Sequence, residues 1–507
     1  MRKKLNILIL ALAVSVLPTG CSKWLEATSS SQISSDKLFS SRGGFHEALS
    51  GIYMSMGSTS VYGMQYTWFA TELSAGTFLE QNNRAFADFQ NQRYATTFTQ
   101  PVIESMWQGG YNVIANVNNM LDQLERRRDI ITDPTEYALI KGELLAIRAY
   151  VHFDMLRIWG LPSWDEDNAS KLTIPYVTAY QKEPTDQLSY QETLLLLEAD
   201  IDSAIEYLEE DPIRGNVSES FDQAVNADGY WNNRNYHLNW YAARVLKARL
   251  LMWKGQFAEA DAIAANVLDE VLQKEVATWV NPVEVLNAAG GSSEDNTFAS
   301  EQIFTLDISN YYDTVSQYFF DYQNVNSNSL MLSPGIVQEL YQSPYITSPT
   351  TLSLVGDIRG PAYLLKYQGS GYRTNKYYST SSDYYRNRQP LIRLSELILM
   401  RTEGAIRNQD WNAACSFINT LHHYRGIDDE ITPSNCLLVS QPLFFLWEEY
   451  QREFLAEGQL FYFRKRCQHE LFSQALTVFT EEIKPVQLDL VFPYPQDETI
   501  YGHIQQR

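Results

Sequence analysis

Two stretches of the chain combine aromatic rings with amide and charged side chains, which is the chemistry of a carbohydrate-binding surface. A sugar ring packs its C–H face on an aromatic plane, while its hydroxyls need planar hydrogen-bonding groups nearby. The first stretch, within residues 61–100, offers the candidate ligand contacts Trp68, Asn82, Arg84, Phe86, Phe89 and Tyr94. The second stretch offers Tyr311, Tyr312, Asp313, Gln317 and Tyr318. Both lie outside the helical pattern of the chain, so we expect functional loops whose aromatic side chains have no packing role.

The amino-acid composition favours such a surface. The chain has 32 Tyr, 23 Phe and 11 Trp, so tyrosine outnumbers phenylalanine. Tyrosine combines an apolar ring with a polar hydroxyl, and it therefore suits half-exposed surfaces that recognise amphipathic ligands, sugars above all. We expect most of the tyrosines, however, to pack between helices.

The net charge restricts the class of partner. A formal charge of −22 argues against nucleic acid and against anionic lipid headgroups, and a polyanionic ligand would need a local basic patch. Residues 359–393 could supply one for an acidic sugar, because seven cations alternate there with tyrosines. We favour instead the interpretation that Lys376 and Arg393 are structural and that the other cations form a solvated face. The seven cations are Arg359, Lys366, Arg373, Lys376, Arg386, Arg388 and Arg393.

Signals for catalysis and for metal binding are weak. The chain has no nucleophile-elbow, P-loop or dinucleotide-binding glycine motif. His422 and His423 are adjacent and so point to different faces of a helix, and 61 acidic residues are too many to specify an acid/base pair. Residues 165–168 (DEDN) could hold a structural calcium ion, although a solvated acidic loop is the alternative. We therefore predict a non-catalytic protein without a cofactor.

Helical periodicity dominates the rest of the sequence. Residues 103–127 repeat apolar positions every three or four residues, and residues 191–208 form a further predicted helix. Residues 135–159 are apolar on nearly every side, which places this helix in the middle of a bundle. Arg148 on this helix must be paired, because an unpaired buried guanidinium costs several kcal/mol, and we predict a structural salt bridge.

Two later segments look like copies of one helix–turn–helix unit. In residues 240–271 and again in residues 392–425, a helix ends at Gly or Asn, a turn follows, and an aromatic residue with alanines opens the next helix. Small alanines let two helices approach closely, as in tetratricopeptide repeats.

The N-terminus has the pattern of an export signal. Three basic residues precede an apolar run at residues 5–17, and the run is too short to span a bilayer. The sequence Leu-Pro-Thr-Gly-Cys that follows resembles a bacterial lipobox, so we expect residues 1–20 to be removed and Cys21 to carry the lipid anchor. The alternative is a simple cleaved signal with an ordinary Cys21. The other cysteines, Cys415, Cys436 and Cys467, allow at most one disulfide among them.

Motifs spread over nearly the whole chain are similar to those of one known family. They are S-K-W-L-E at 22–26, Trp107 to Asn119, G-E…I-R-A-Y…W-G-L-P at 142–162, K-Y…P-L-I-R-L-S-E-L-I-L-M at 376–400, R-E-F-L-A-E-G at 452–458 and F-P-Y-P at 492–495. On these motifs the chain resembles the SusD/RagB outer-membrane lipoproteins of Bacteroidetes, which pass extracellular nutrients to TonB-dependent transporters.

The resemblance implies a mainly α fold, a right-handed superhelix of tetratricopeptide-like helix pairs with an irregular, loop-rich ligand-binding lobe. It implies one SusD-like domain over residues 21–507, with the scaffold at about 40–60, 101–275 and 390–470 and the lobe at about 61–100 and 276–389. It also implies that the helical side meets a SusC-like TonB-dependent transporter at the cell surface of the outer membrane. None of the matching motifs binds ligand in the family, so the candidate ligand contacts depend on the loops alone.

Three hypotheses of function remain open at this stage. The first is a cell-surface lipoprotein that captures an oligosaccharide and delivers it to the transporter without altering it. The second keeps this architecture and makes the ligand an oligopeptide. The third is an all-α glycoside hydrolase or lyase that uses acidic residues in a helical toroid.

Overall fold

The computed structural model of the protein describes residues 35–79, 83–162, 165–215, 219–288, 294–320, 329–341, 356–379, 383–434, 441–475 and 488–505. The predicted signal peptide and lipid anchor, Asn82 and Cys436 lie outside these ranges. The fold is mainly helical, as the sequence predicts, with a few short strands.

The helices are α1 (Ser35–Leu38), α2 (Arg42–Met56), α3 (Ala70–Ser74), α4 (Arg84–Gln90), α5 (Gln100–Arg126), α6 (Pro134–Trp159), α7 (Tyr190–Tyr207), α8 (Glu219–Ala224), α9 (Trp240–Trp253), α10 (Phe257–Gln273), α11 (Pro282–Ala288), α12 (Tyr311–Phe319), α13 (Pro334–Tyr341), α14 (Asp383–Arg386), α15 (Leu394–Arg407), α16 (Trp411–His423), α17 (Pro442–Phe454), α18 (Gln459–Ala475) and α19 (Gln496–Tyr501). The strands are β1 (Gln302–Asp307), β2 (Leu365–Gln368), β3 (Gly371–Thr374) and β4 (Arg388–Arg393).

The long helices form a row in which each packs on the next. The order of neighbours is α2, α5, α6, α7, α9, α10, α15 and α16, and α17 packs on both α15 and α18. Because α10 packs directly on α15, the row continues past residues 274–393, which form a separate set of short helices and strands beside it. One hydrophobic core joins most of these short elements to the row, while Val285 of α11 packs in a second, smaller cluster with Phe298, Ile358 and Leu364.

The helix α6 lies in the middle of this row, as its apolar sequence predicts. It begins where the Asp133 carboxylate accepts a hydrogen bond from the Glu136 N–H at 2.9 Å, and its side chains are buried along most of its length. Arg148 is paired, which confirms the predicted salt bridge. Its guanidinium donates two hydrogen bonds of 2.7 Å to the carboxylate of Asp200 on α7, and a third of 2.9 Å to Asn118 on α5. Arg148 and its two partners therefore connect three neighbouring helices.

The two predicted helix–turn–helix units are confirmed as α9–α10 and α15–α16. Gly255, between α9 and α10, has a φ of +74°, a left-handed conformation that glycine adopts without strain. The two units approach each other at Gly404 of α15. A Cβ there would lie only 3.1 Å from the Cβ of Asp261 on α10, so the absence of a side chain permits the close packing of these helices.

The short strands attach the lobe to the helical row. Strand β1 pairs antiparallel with β4, from Gln302 opposite Arg393 to Asp307 opposite Arg388. Every residue of β4 is buried, and the strand continues directly into α15. Strands β2 and β3 form a hairpin whose turn contains Gly369 at a φ of +65°.

A network of buried ion pairs lies where the strands meet α17. Arg425 donates hydrogen bonds of 2.7 Å to Glu453 and to Glu301, and Arg393 donates one of 2.7 Å to Glu453. All four side chains are almost fully buried. Burial alone would raise the pKa of Glu453, but the charges of Arg425 and Arg393 outweigh it and hold that pKa well below its usual range.

The interpretation of residues 359–393 as largely a solvated face is wrong. Arg359, Arg373 and Arg388 are buried together with Lys376 and Arg393. The guanidinium of Arg359 binds the carboxylate of its near neighbour Asp357 at 2.7 Å and also reaches Glu449 on α17. The sequence could not show this for Arg359, because α17 is distant along the chain and brings Glu449 to it only in the folded protein.

Candidate ligand-binding surface

The two stretches of candidate ligand contacts meet in the structure. The ring centroid of Tyr318 lies 5.0 Å from that of Trp68, 5.7 Å from that of Phe69 and 6.1 Å from that of Phe86. Both stretches contain helices where we expected loops, because Phe86 lies on α4 and Tyr318 on α12. The aromatic rings hold these two helices together, so the prediction of one lobe built from distant segments has a physical basis.

Five of the predicted contacts have a packing role, which corrects the expectation that they lack one. Each of them is at most 6% exposed, so its ring cannot offer a face to a sugar in this conformation. They are Trp68, Phe86, Phe89, Tyr94 and Tyr311. The hydroxyl groups of the two tyrosines are also in use, since that of Tyr94 donates to the Asp489 carbonyl at 2.7 Å and that of Tyr311 donates to the Gln389 side chain. These rings pack because they meet aromatic partners that are far away in the sequence.

One side of helix α12 packs on the core and the other side faces solvent. Val315 and Phe319 are buried with Tyr311, which lies four residues before Val315. The carboxylate of Asp313 and the amide of Gln317 are exposed one helical turn apart, and the rings of Tyr312 and Tyr318 are half-buried. These four side chains reach solvent wholly or in part. We call the set of Tyr312, Asp313, Gln317 and Tyr318 the α12 face.

The ring of Tyr312 lies beside one aromatic ring and one guanidinium. Phe320 stacks beside it with centroids 5.8 Å apart, and the Arg386 guanidinium lies 3.9 Å from its centroid. Desolvation and the neighbouring hydroxyl of Tyr378 raise the pKa of Tyr312, so its hydroxyl stays protonated and can donate a hydrogen bond. Arg386 is not among the contacts predicted from the sequence, although its place among the tyrosines of residues 359–393 is a signal in its favour.

The predicted contact Arg84 lies at the beginning of α4 and is exposed. Its guanidinium is 5.6 Å from the ring centroid of Phe98, which is itself 45% exposed. Two residues further on, Phe86 stacks against Tyr318, so α4 brings Arg84 to the neighbourhood of the α12 face. The remaining candidate in this stretch, Asn82, lies outside the described residues.

The structure gives no ligand set to the calcium hypothesis. The Asp165 carboxylate accepts hydrogen bonds from the backbone N–H of Asn168 at 2.8 Å and from its side chain at 3.1 Å. Within the ranges described, no three His, Cys, Asp or Glu residues are grouped so that they could hold a metal ion. Cys415 and Cys467 are buried free thiols, and burial raises their pKa values to about 11 and about 12.

Of the helices described, none is both long and apolar enough to cross a membrane.

Two family models match the sequence. A SusD-like model, described as starch-binding and associating with the outer membrane, matches residues 23–227, and the SusD/RagB model of the SusD family matches residues 309–480. No curated protein matches the chain.

Solved structures share the fold over nearly the whole chain. A SusD superfamily protein from Bacteroides thetaiotaomicron is 20% identical with a TM-score of 0.67, over 92% of this chain and 99% of that one. A SusD superfamily protein from Bacteroides vulgatus is 17% identical with a TM-score of 0.66, over 92% and 98%. A laminarin-binding SusD-like protein is 16% identical with a TM-score of 0.60, over 92% and 99%. With both family models and this shared architecture, the chain belongs to the SusD/RagB family.

Proposed function

We propose that this protein is a cell-surface lipoprotein that binds an oligosaccharide and delivers it, chemically unaltered, to a SusC-like TonB-dependent transporter in the outer membrane. The observation that carries the proposal is the α12 face. There the half-exposed ring of Tyr312 lies beside the Arg386 guanidinium, and the polar ends of Asp313 and Gln317 reach solvent from the same helix.

The chemistry of this face suits a sugar. The exposed part of the Tyr312 ring can pack against the C–H face of a pyranose, while the Asp313 carboxylate and the Gln317 amide can bind its hydroxyls. Since a few contacts on an open surface barely offset the lost freedom of the ligand, we expect a dissociation constant between micromolar and millimolar.

The relatives support a carbohydrate as the ligand. One of the matching family models is described as starch-binding, and a structure with the same fold is that of a laminarin-binding protein. The two polysaccharides differ, so the fold accommodates more than one glucan and does not specify which glycan binds here.

The place of action follows from the N-terminal sequence. Acylation of Cys21 after removal of residues 1–20 would tether the protein to a membrane, and the matching family model is described as associating with the outer membrane. A single acyl chain binds a membrane only weakly, so stable attachment needs more than one chain on the anchor. We propose that the row of long helices faces the transporter and that the lobe faces solvent.

A binding screen tests the proposed ligand. The full mature protein is applied to a glycan array and to an oligopeptide library, beside the variants Tyr312→Ala and Tyr367→Ala. Tyr367 is a matched control, because it is a 60% exposed tyrosine on β2, away from α12 in the sequence. The proposal predicts oligosaccharide binding that Tyr312→Ala weakens and Tyr367→Ala does not. Binding of peptides alone would favour the oligopeptide hypothesis.

Two further observations test transport and catalysis. Purification of the native lipoprotein from outer membranes should co-purify a barrel transporter, and a monodisperse protein without a barrel contradicts delivery. Incubation with the polysaccharide that binds should leave its chain length unchanged. Turnover that one carboxylate substitution abolishes would establish the enzyme hypothesis instead.

A further inference from the structure

A second aromatic surface lies along α5, on elements that do not include α12. A cavity of about 570 Å³ opens there between α5, residues 175–185 and α19. We call it the α5 groove and define it by six of its lining residues, Gln108, Tyr111, Asn112, Tyr180, Gln181 and Tyr501.

Two tyrosines at the rim of the groove have their rings in solvent. Tyr180 is 62% exposed and Tyr501 is 74% exposed. Neither ring stacks on another aromatic ring or makes a hydrogen bond to any residue that the structure describes. They differ in this from the buried tyrosines of the lobe, since most of each side chain lies in solvent and is available to a ligand.

The floor of the groove is rigid. The Tyr111 hydroxyl donates to the Pro175 carbonyl at 2.8 Å, and the Trp107 ring packs against the Tyr111 ring with centroids 4.8 Å apart. The segment next to this floor is held at Val177, whose carbonyl accepts from the Asn118 side chain at 2.9 Å. A ligand would therefore meet a preformed surface and lose less free energy to ordering of the protein.

The opposite wall, α19, is tied down at both ends. Before it, the Tyr494 hydroxyl donates to the Thr173 carbonyl at 2.9 Å. After it, the Gln505 N–H donates to the Gln187 side chain at 2.8 Å, and Ile504 is buried in the core. The exposed ring of Tyr501 thus projects from a helix with a defined position.

The polar groups of the groove are amides and carboxylates. Gln108 and Asn112 are exposed one turn apart on α5, and Gln181 adds a third amide. Planar amides both donate and accept hydrogen bonds, as sugar hydroxyls require. The lining has one lysine, Lys182, and three carboxylates, those of Glu183, Asp497 and Glu498. This excess of negative charge, in a chain of net charge −22, disfavours an anionic ligand.

A second cavity of about 610 Å³ lies along the first turns of α5 and shares the lining residue Asp497 with the groove. Together the two cavities follow α5 from Gln100 to Ala115, roughly 22 Å at the rise of an α-helix. This length fits a chain of several sugar rings better than a single one.

We infer that the α5 groove is a second carbohydrate site, which binds a neutral oligosaccharide by stacking its rings on Tyr180 and Tyr501 and by hydrogen bonds to Gln108 and Asn112. The inference rests on the proposed function, because it takes its ligand class from it. It adds a site that is separate from the α12 face, so one molecule would hold its oligosaccharide at two places.

The experiment counts the sites and removes them one at a time. The full mature protein is titrated by calorimetry with neutral gluco-, manno-, xylo- and galacto-hexasaccharides, with hexagalacturonate as the anionic probe and with a lysine-rich decapeptide. The variants are Tyr180→Ala/Tyr501→Ala for the groove, Tyr312→Ala for the α12 face and Tyr367→Ala as the exposed control. All four tyrosines are at least partly exposed, and thermal unfolding verifies that each variant folds.

The expected result is binding of a neutral hexasaccharide at two sites, of which the groove variant removes one or weakens it about 30-fold, since each of the two stacked rings contributes about 1 kcal/mol. Tyr312→Ala affects the other site and Tyr367→Ala neither. A single site that depends on Tyr312 and ignores the groove variant overturns the groove and leaves the proposed function standing. No binding of any neutral hexasaccharide overturns both. Hexagalacturonate or decapeptide binding that depends on Tyr180 and Tyr501 overturns the assignment of a neutral sugar.

Discussion

The ring of Tyr318 lies against the ring of Phe86, with centroids 6.1 Å apart and planes inclined by 30°. The two residues come from the two stretches that the sequence predicts as binding loops. Their contact makes one aromatic cluster of α4 and α12, and this cluster holds the exposed edge of α12 in place. Rings inside this cluster stabilise the lobe, while rings at its edge can contact a ligand. The first two predictions test this division.

Trp68→Ala should destabilise the protein rather than affect ligand binding alone. The Trp68 ring is fully buried against Tyr318 and Phe319, so its removal leaves a large cavity and should lower the free energy of unfolding by about 3–5 kcal/mol. Urea denaturation followed by circular dichroism measures this loss. Phe98→Ala, which removes a 45% exposed ring, should cost less than about 1 kcal/mol. Weakened glycan binding by Trp68→Ala with unchanged stability would contradict the packing role.

Tyr312→Ala should weaken oligosaccharide binding about fivefold, because it removes a stacking surface that contributes about 1 kcal/mol. Tyr312→Phe keeps the ring beside Phe320 and Arg386 and should change the dissociation constant less than about twofold. Calorimetric titration of both variants with the oligosaccharide that binds the wild type gives the comparison. Equal dissociation constants for the alanine variant and the wild type would remove Tyr312 from the site.

Glu453→Gln should lower the free energy of unfolding by about 3–5 kcal/mol at neutral pH, because it removes the buried carboxylate that Arg393 and Arg425 share and leaves part of their buried charge unbalanced. Glu270→Gln is the matched control, since Glu270 is partly exposed and lies 3.9 Å from Arg244 and from Lys274, and it should cost at most about 1 kcal/mol.

The effect of Glu453 should also depend on pH. Its pKa in the folded protein is lowered well below the ordinary value of 4.5, so the stability it contributes is fully present above that value and is lost as the pH falls toward the folded pKa. The difference in unfolding free energy between wild type and Glu453→Gln should therefore shrink in acid. A difference that is constant from neutral pH down to about pH 3 would contradict this assignment.

The pKa of Glu72 is shifted in the opposite direction from that of Glu453, so its contribution to stability should change with pH in the opposite sense. Its side chain is buried and accepts hydrogen bonds from the backbone N–H of Ala456 at 2.8 Å and of Gly458 at 3.4 Å. Burial raises its pKa from 4.5 to about 8, so the stability linked to Glu72 is present in full below about pH 4.5 and is lost as the pH rises through 8.

Glu72→Gln keeps the accepting oxygen and removes the charge. Relative to this variant, the wild type should lose stability between about pH 5 and pH 9 in urea denaturation. Glu206→Gln, at an exposed position on α7, should parallel the wild type throughout. A difference in unfolding free energy between the wild type and Glu72→Gln that stays constant over this range would contradict the raised pKa, because it would show that Glu72 is ionised in the folded protein at all these pH values.

The helical framework could be predicted from the sequence because its signals are local. The apolar pattern of residues 103–127 and 135–159 gave α5 and α6 within a few residues, and the Gly and Asn turns gave the pairs α9–α10 and α15–α16. Arg148 could be predicted to be paired because burial of its helix follows from its composition. Its partner, Asp200 on α7, could not be named, because nothing in the spacing specifies which acid lies opposite.

The candidate site was harder to predict, since contacts between distant segments decide which of its residues are buried. Trp68 and Tyr312 have similar sequence surroundings, yet Trp68 is buried by Phe319 while Tyr312 keeps part of its ring in solvent. Burial of Arg359 likewise depends on Glu449 of α17, which is far away in the chain. A pattern of aromatic and amide residues therefore indicates a candidate region, while the burial of each side chain in it depends on contacts between distant segments.

The central claim is that the α12 face binds the oligosaccharide. A crystal structure of the mature protein with the hexasaccharide selected by the glycan array tests it most directly. The claim predicts a sugar ring against the exposed side of Tyr312, with hydroxyls within hydrogen-bonding distance of Asp313 or Gln317. An oligosaccharide bound elsewhere on the protein, with the α12 face empty, would contradict it.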